Sequence, residues 1–140
     1  LGNEHSLRKR YDLAKDSVNM LNEKTKKAIL YKGYGVHHSQ IPVLMNASNV
    51  LLVTSDWEGS INIVKEAMAC NLPIVSVDVG DVKRIIESTE GCYISKRDKL
   101  DISDKLIRSL DIDRTVGREN ISELNSEVIS KRIVNIYEKL

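Results

Sequence analysis

Apolar residues recur along this chain with two alternating periods, and that alternation is the first informative feature. Leu7, Tyr11, Ala14, Val18 and Leu21 fall at helical spacing, which predicts a helix over Lys9–Glu23. Ala28–Tyr31 is a short apolar run and predicts a strand, ended by Lys32-Gly33-Tyr34-Gly35, whose glycines permit a sharp loop. A short helix is expected over Ile41–Asn46, where Pro42 is acceptable in the first turn. Val50–Thr54 is continuously apolar, as in a strand covered on both faces. A helix over Ile61–Cys70, a strand over Ile74–Val77, a helical turn or two over Val82–Glu87 and an edge strand over Cys92–Ile94 follow. Ser103–Leu110 predicts a further helix with Ser103 as its cap. Ile129, Ile133, Ile136 and Leu140 form one stripe of a terminal helix, to be covered either by this domain's sheet or by a neighbouring domain.

Strands alternating with helices at this pace predict a parallel sheet built from right-handed crossovers, a Rossmann-like doubly wound α/β domain over residues 1–140. Ligands of such sheets bind beyond the carboxyl ends of the strands. The loops at that edge are Gly2–Arg8, Gly33–Gln40, Ser55–Ser60 and Asp78–Asp81.

Composition narrows the classes. Apolar residues are 41% and charged residues 29%, ordinary for a folded domain, and the net charge of +1 argues against a nucleic-acid binder. Cys70 and Cys92 lie among apolar neighbours and read as reduced core thiols, which favours a cytoplasmic setting. No apolar run approaches the roughly 18 residues of a membrane span. The opening Leu1-Gly2-Asn3 resembles the tail of a strand, so the chain is expected to be a fragment of a longer protein.

The stretch Ser55–Cys70 carries the chemistry. It joins a buried strand to a helix whose first-turn amides, preceded by Gly59 and Ser60, form an anion site; Gly59 lets a phosphate approach the backbone closely. Helical spacing turns Ile63, Val64, Ala67 and Met68 toward the core and leaves Asn62 and Glu66 on one flank. A carboxylate accepts from two adjacent sugar hydroxyls. Glu58 and Glu66 flanking an amide cluster therefore suit a diphosphate with a sugar at each end, the outline of a nucleotide sugar. By themselves, two solvated glutamates and Ser60 as a simple cap explain the same residues.

The segment from Glu58 to Val75 resembles the signature of the group 1 retaining glycosyltransferases of the GT-B fold: two glutamates separated by seven residues, a small-residue helix, and Asn71-Leu72-Pro73 turning into a Val-rich strand. Asp78-Val79-Gly80, the basic start Lys9-Arg10-Tyr11, the Glu90–Tyr93 turn and the terminal Ile-rich helix are similar too. The resemblance implies that Glu66 holds the nucleotide ribose and Glu58 faces the donor hexose. It also implies that amides near Ser60, Ile63 and Val64 meet the diphosphate, and that Lys9 neutralises the departing phosphate, with Arg8 or Arg10 assisting. The loop Tyr34–His37, including Val36, would border the nucleobase through backbone atoms.

The implied reaction moves a hexose from a nucleoside-diphosphate sugar, a UDP-sugar by preference, to an acceptor hydroxyl, in a setting such as polysaccharide biosynthesis. It uses no cofactor and no metal. The acceptor-binding N-terminal half is absent, so the fragment should bind donor but transfer little, and any peripheral membrane contact belongs to that missing half. Asn3 stands where the family has a basic residue, which also admits a non-catalytic sugar-nucleotide-binding or interaction module.

Some residues stay outside this reading. His37-His38 lacks supporting metal ligands. Trp57 reads as packing beneath its loop in preference to a sugar-stacking platform, and Asp56 and Asp81 as loop acids without a clear partner. A phosphorylatable receiver lacks its acidic pair and late lysine here, and a dinucleotide dehydrogenase lacks its Gly-x-Gly-x-x-Gly.

Overall fold

A computed structural model describes residues 7–25, 27–33 and 35–139. The elements in chain order are α1 (Tyr11–Lys24), α2 (Ile41–Ala47), β1 (Leu51–Val53), α3 (Asn62–Ala69), β2 (Ile74–Val77), α4 (Val82–Ile86), β3 (Tyr93–Ser95), α5 (Lys99–Leu110), α6 (Gly117–Asn120) and α7 (Ser126–Tyr137), with short 3-10 turns between some of them. The three strands form one parallel sheet in the order β1-β2-β3, with Leu51 beside Ile74 and Val77 beside Ser95. The fold is Rossmann-like α/β. In it α5 lies against β2 and β3 and carries α1, while α3 packs with α2, α4 and α6.

The centre is β2, buried at all four positions as a strand covered on both faces, and its one polar residue, Ser76, donates its hydroxyl to Val77 O at 2.8 Å. Val64 and Met68 from α3, Leu72, Ile86 and Ile102 are fully buried around it. Each such side chain contributes about 1.5–3 kcal/mol relative to exposure.

Three expectations need correction, and one open alternative is decided. Helix α1 starts at Tyr11, because Arg10 is left-handed with φ 47°, so Lys9 and Arg10 belong to the turn ahead of the helix. Ala28–Tyr31 enters no ladder. A strand needs a partner about 4.8 Å away, and here a cleft of about 780 Å³ is lined by this segment on one side and by β1 on the other. The side chain of Asn22 holds Ala28 instead, accepting from its N–H at 2.6 Å and donating to its carbonyl at 3.1 Å. Helix α5 begins four residues before Ser103; its cap is Asp98, which accepts from the amides of Leu100 and Asp101. Ser103 is buried inside the helix and its hydroxyl has no hydrogen-bond partner. Finally, α7 buries none of its described residues and leaves Ile133 and Ile136 exposed, so it does not cover the sheet. Leu140 of that stripe lies outside the described residues.

The start of α5 makes a pH prediction. Asp101 accepts from Lys105 Nζ (2.6 Å), the Lys96 amide (2.7 Å) and Ser95 Oγ (2.8 Å). Burial pushes its carboxyl up, but these partners win and hold it at about 2. A depressed folded pKa means the contribution is complete above the ordinary carboxylate value and is lost as pH falls toward 2. Asp101→Asn is expected to cost about 1–2 kcal/mol at pH 7, after allowance for partial exposure, and almost nothing near pH 2. Urea melts of both proteins at the two pH values check this.

Cys70 and Cys92 are free thiols. Burial pushes Cys92 up to about 11, leaving it unreactive at neutral pH. Among the described residues no helix is long and apolar enough to cross a membrane.

Candidate functional site

The carboxyl end of β1 determines how Lys9 and Glu58 meet. Thr54 Oγ1 lies 2.9 Å from Lys9 O and 3.0 Å from Arg10 O, and the Asp56 amide donates to Arg8 O at 2.8 Å. The Arg8–Arg10 turn is thus strapped to the loop after β1. Lys9 Nζ then donates to Glu58 Oε1 at 2.6 Å, and the Arg8 guanidinium stands 3.9 Å from Oε2. Burial pushes the Glu58 carboxyl up, but hydrogen bonds from Lys9 and Ser55 and the two nearby cations bring it below the usual range. Glu58 is therefore an ionised, mostly buried acceptor at neutral pH, facing a cation.

Arg10 turns elsewhere, to Asp12 and, through Nη1 at 3.2 Å, to Asp56. Asp56 accordingly has a partner. Trp57 is not packed beneath its loop: the residue is 66% exposed and the Arg8 guanidinium lies 4.5 Å from its ring centroid.

At the start of α3, Gly59 and Ser60 are exposed and the helix has no side-chain cap on its own N-cap residue. Ser60 is engaged from the next loop: its hydroxyl donates to Asp81 Oδ2 at 2.7 Å, while the Ile61 amide points at Asp81 Oδ1 at 3.4 Å. Lys65 Nζ donates to Ser60 Oγ and, with Arg84, stands within 4 Å of the Asp81 carboxylate. Burial pushes Asp81 up, but these bonds and charges hold it below its ordinary value. Asp81 has more partners than any loop acid without a role would need, and it fills one amide of the expected anion cluster. The Val64 amide is likewise committed, to Ile61 O at 3.2 Å. Val64 is buried and its amide taken, which removes it from the expected anion site; Ile63 is half-buried, and Asn62 is exposed beside them.

Two turns along, Glu66 is half-buried and its Oε1 lies 3.8 Å from His38 Nδ1. It lines a smaller cavity of about 260 Å³ with His38, Ile41, Pro42, Cys70 and Arg118, whereas Lys9 and Glu58 line the larger cleft. The two carboxylates thus stand in different recesses of one surface. Val36 is half-buried against the core. His37 Nδ1 lies 2.8 Å from Ser39 Oγ and caps the following turn. Tyr34 and Asn3 lie outside the described residues.

The chain contains one Asp-x-Asp spacing, Asp111-Ile112-Asp113, just past α5 and remote in sequence from the loops above. Among the described residues no three His, Cys, Asp or Glu side chains converge on a metal position. Arg97, which spacing gave no reason to notice, reaches the carbonyls of Ser55, Asp56 and Asp78.

A three-stranded parallel sheet flanked by helices, with Lys9 and Glu58 meeting at the carboxyl end of β1, defines a Rossmann-like α/β class, and such sheets take their ligands at that edge. The family model for group 1 glycosyl transferases matches residues 8–111, and the chain belongs to that family. It is similar to the N-acetyl-alpha-D-glucosaminyl L-malate synthase of Bacillus anthracis, at 26% identity over 101 residues, 69% of this chain and 26% of that protein. The chain therefore spans about a quarter of the length of this relative.

Proposed function

We propose that this domain binds the donor of a retaining, metal-independent GT-B hexosyltransferase, a nucleoside-diphosphate sugar with UDP preferred. The observation that carries the reading is the 2.6 Å contact between Lys9 and Glu58 at the carboxyl end of β1, immediately before α3. In the proposed complex the diphosphate lies over the first turn of α3 and draws Lys9 Nζ from Glu58. The bond that breaks joins the anomeric carbon to the diphosphate oxygen, and the one that forms joins that carbon to the acceptor hydroxyl oxygen, whose proton passes to the departing diphosphate. Its electron pair leaves with the diphosphate, so negative charge grows where Lys9 and the amides stand; stabilisation of this type is worth a few kcal/mol. Glu58, released from Lys9, accepts from the hexose hydroxyls, and Glu66 accepts from the ribose. The name of the relative supports including an N-acetylated hexosamine among the candidate sugars.

Glu66→Ala is the direct test. Calorimetric titration with UDP-glucose, UDP-N-acetylglucosamine, GDP-mannose and ADP-glucose should give saturable binding of one donor, and the variant should lose about tenfold in affinity for it, as for a lost charge-assisted hydrogen bond. Unchanged affinity in the variant would remove Glu66 from the site. Absence of binding across the panel, repeated with the full-length protein, would favour a non-catalytic module.

A further inference from the structure

We infer that Arg97 is a positioning residue of the donor site: it ties together the loops that follow all three strands and holds the Ser55–Ser60 loop in its binding shape. The inference rests on the donor-site reading for its functional part and on geometry alone for its positioning part.

Arg97 lies two residues beyond β3. Its own backbone is fixed on both sides, because Asp101 accepts from the Lys96 amide and Asp98 caps α5. From there Nη2 donates to Asp56 O at 2.6 Å, with Ser55 O at 3.4 Å and Asp78 O at 3.5 Å. Ser55 and Asp56 follow β1, and Asp78 follows β2. Nε also stands 3.8 Å from Asp56 Oδ1, the same oxygen that Arg10 Nη1 meets at 3.2 Å.

Carbonyls past the end of a strand have left the ladder and need other donors. The two N–H groups of Nη2 suffice for one carbonyl from each loop while Nε faces the Asp56 carboxylate; an ammonium, a single mobile point charge, cannot hold both positions at once. The loop Arg97 grips contains Glu58 and Gly59 and opens α3, but Arg97 itself contacts neither of the glutamates nor Lys9. Glu66, two turns into a buried helix, does not depend on it.

That asymmetry sets the test. In Arg97→Ala the affinity for the bound UDP-sugar should fall roughly tenfold, while uridine, held through Glu66, should change by less than about twofold; Arg97→Lys should restore only part of the loss. Hydrogen exchange without nucleotide gives the second readout. The Asp56 amide, which donates to Arg8 O, should lose protection in Arg97→Ala while the amides of α5 and β2 keep theirs. Equal losses for uridine and UDP-sugar, or full rescue by lysine, would overturn the proposal. So would unchanged protection at Asp56, or a loss spread through α5 and β2. If the unsubstituted protein binds no sugar nucleotide, the donor-site reading fails, and the exchange data alone decide whether Arg97 positions the loop.

Discussion

Lys9→Ala is expected to weaken binding of a nucleoside diphosphate by roughly 30- to 100-fold while leaving the bare nucleoside nearly unaffected. The magnitude is that of a charge-assisted hydrogen bond, about 2–3 kcal/mol. The selectivity follows from position: Lys9 is held at the end of β1 by Thr54, whereas the nucleoside is proposed to rest on Glu66, in a separate recess. Calorimetry with UDP and uridine separates the two losses, and equal losses would sink the assignment. The same substitution makes a second, ligand-free prediction. Burial is the largest influence on Glu58 and pushes its pKa up; Lys9 is the first of the partners that bring it down. Without Lys9 the carboxyl should titrate at a higher pH than in the parent protein. Its stabilising contribution should then be lost at a correspondingly higher pH on acidification. Carboxyl-carbon NMR of Glu58 across pH 3–7 would read that shift directly.

Local chemistry made much of the fold legible. The buried strand Ile74–Val77 and the helix after Ser60 stand where their local patterns place them, because the partners those patterns call for are present: β1 and β3 flank the strand, and the core takes the helix's apolar stripe. The errors fall where a distant group decides. Ala28–Tyr31 has strand composition, yet a strand exists only with a neighbour, and composition cannot supply one. Ser103 has the residue type of a cap, but Asp98 lies where α5 begins, and the hydrogen bonds to Leu100 and Asp101 decide between them. The terminal Ile stripe predicts a covered face without naming what covers it, and here the sheet does not.

The site divides in the same way. Glu58, Glu66 and the α3 amides could be proposed because they share one segment. The contact of Lys9 with Glu58 spans 49 positions; the family resemblance gives each residue a separate role, and only the fold brings them together. Arg97 drew no expectation, and Asp81 only that of a loop acid without a clear partner: each acts on a different loop from its own, Asp81 on Ser60 and Arg97 on Asp56, and no spacing rule links loops that follow different strands. Such cross-loop contacts are what turn separate strand ends into one surface.

One of those contacts is between backbones, and it carries the last prediction. Gly80 adopts φ +57°, and a Cβ placed on it would lie 1.8 Å from Gly59 O. Two penalties therefore coincide in Gly80→Ala: a left-handed conformation costs a non-glycine residue about 1 kcal/mol, and the overlap is with a carbonyl rather than with a side chain that could swing away. Relief requires the Glu58–Ser60 backbone to move. The expected result is a loss of about 3 kcal/mol or more in stability, or a displaced loop that retains stability but binds donor at least tenfold more weakly. Urea midpoints distinguish these outcomes when paired with UDP-sugar titrations, and either one places Gly80 beneath the donor loop. Gly59 offers the control. A Cβ there meets nothing within 4 Å and no positive φ is involved, so Gly59→Ala should leave stability unchanged within about 0.5 kcal/mol. It should still impair diphosphate binding if the phosphate approaches that backbone closely. A stable, donor-competent Gly80→Ala protein would mean that the two loops do not touch as described. The alignment of Glu58 with the start of α3 would then need another cause.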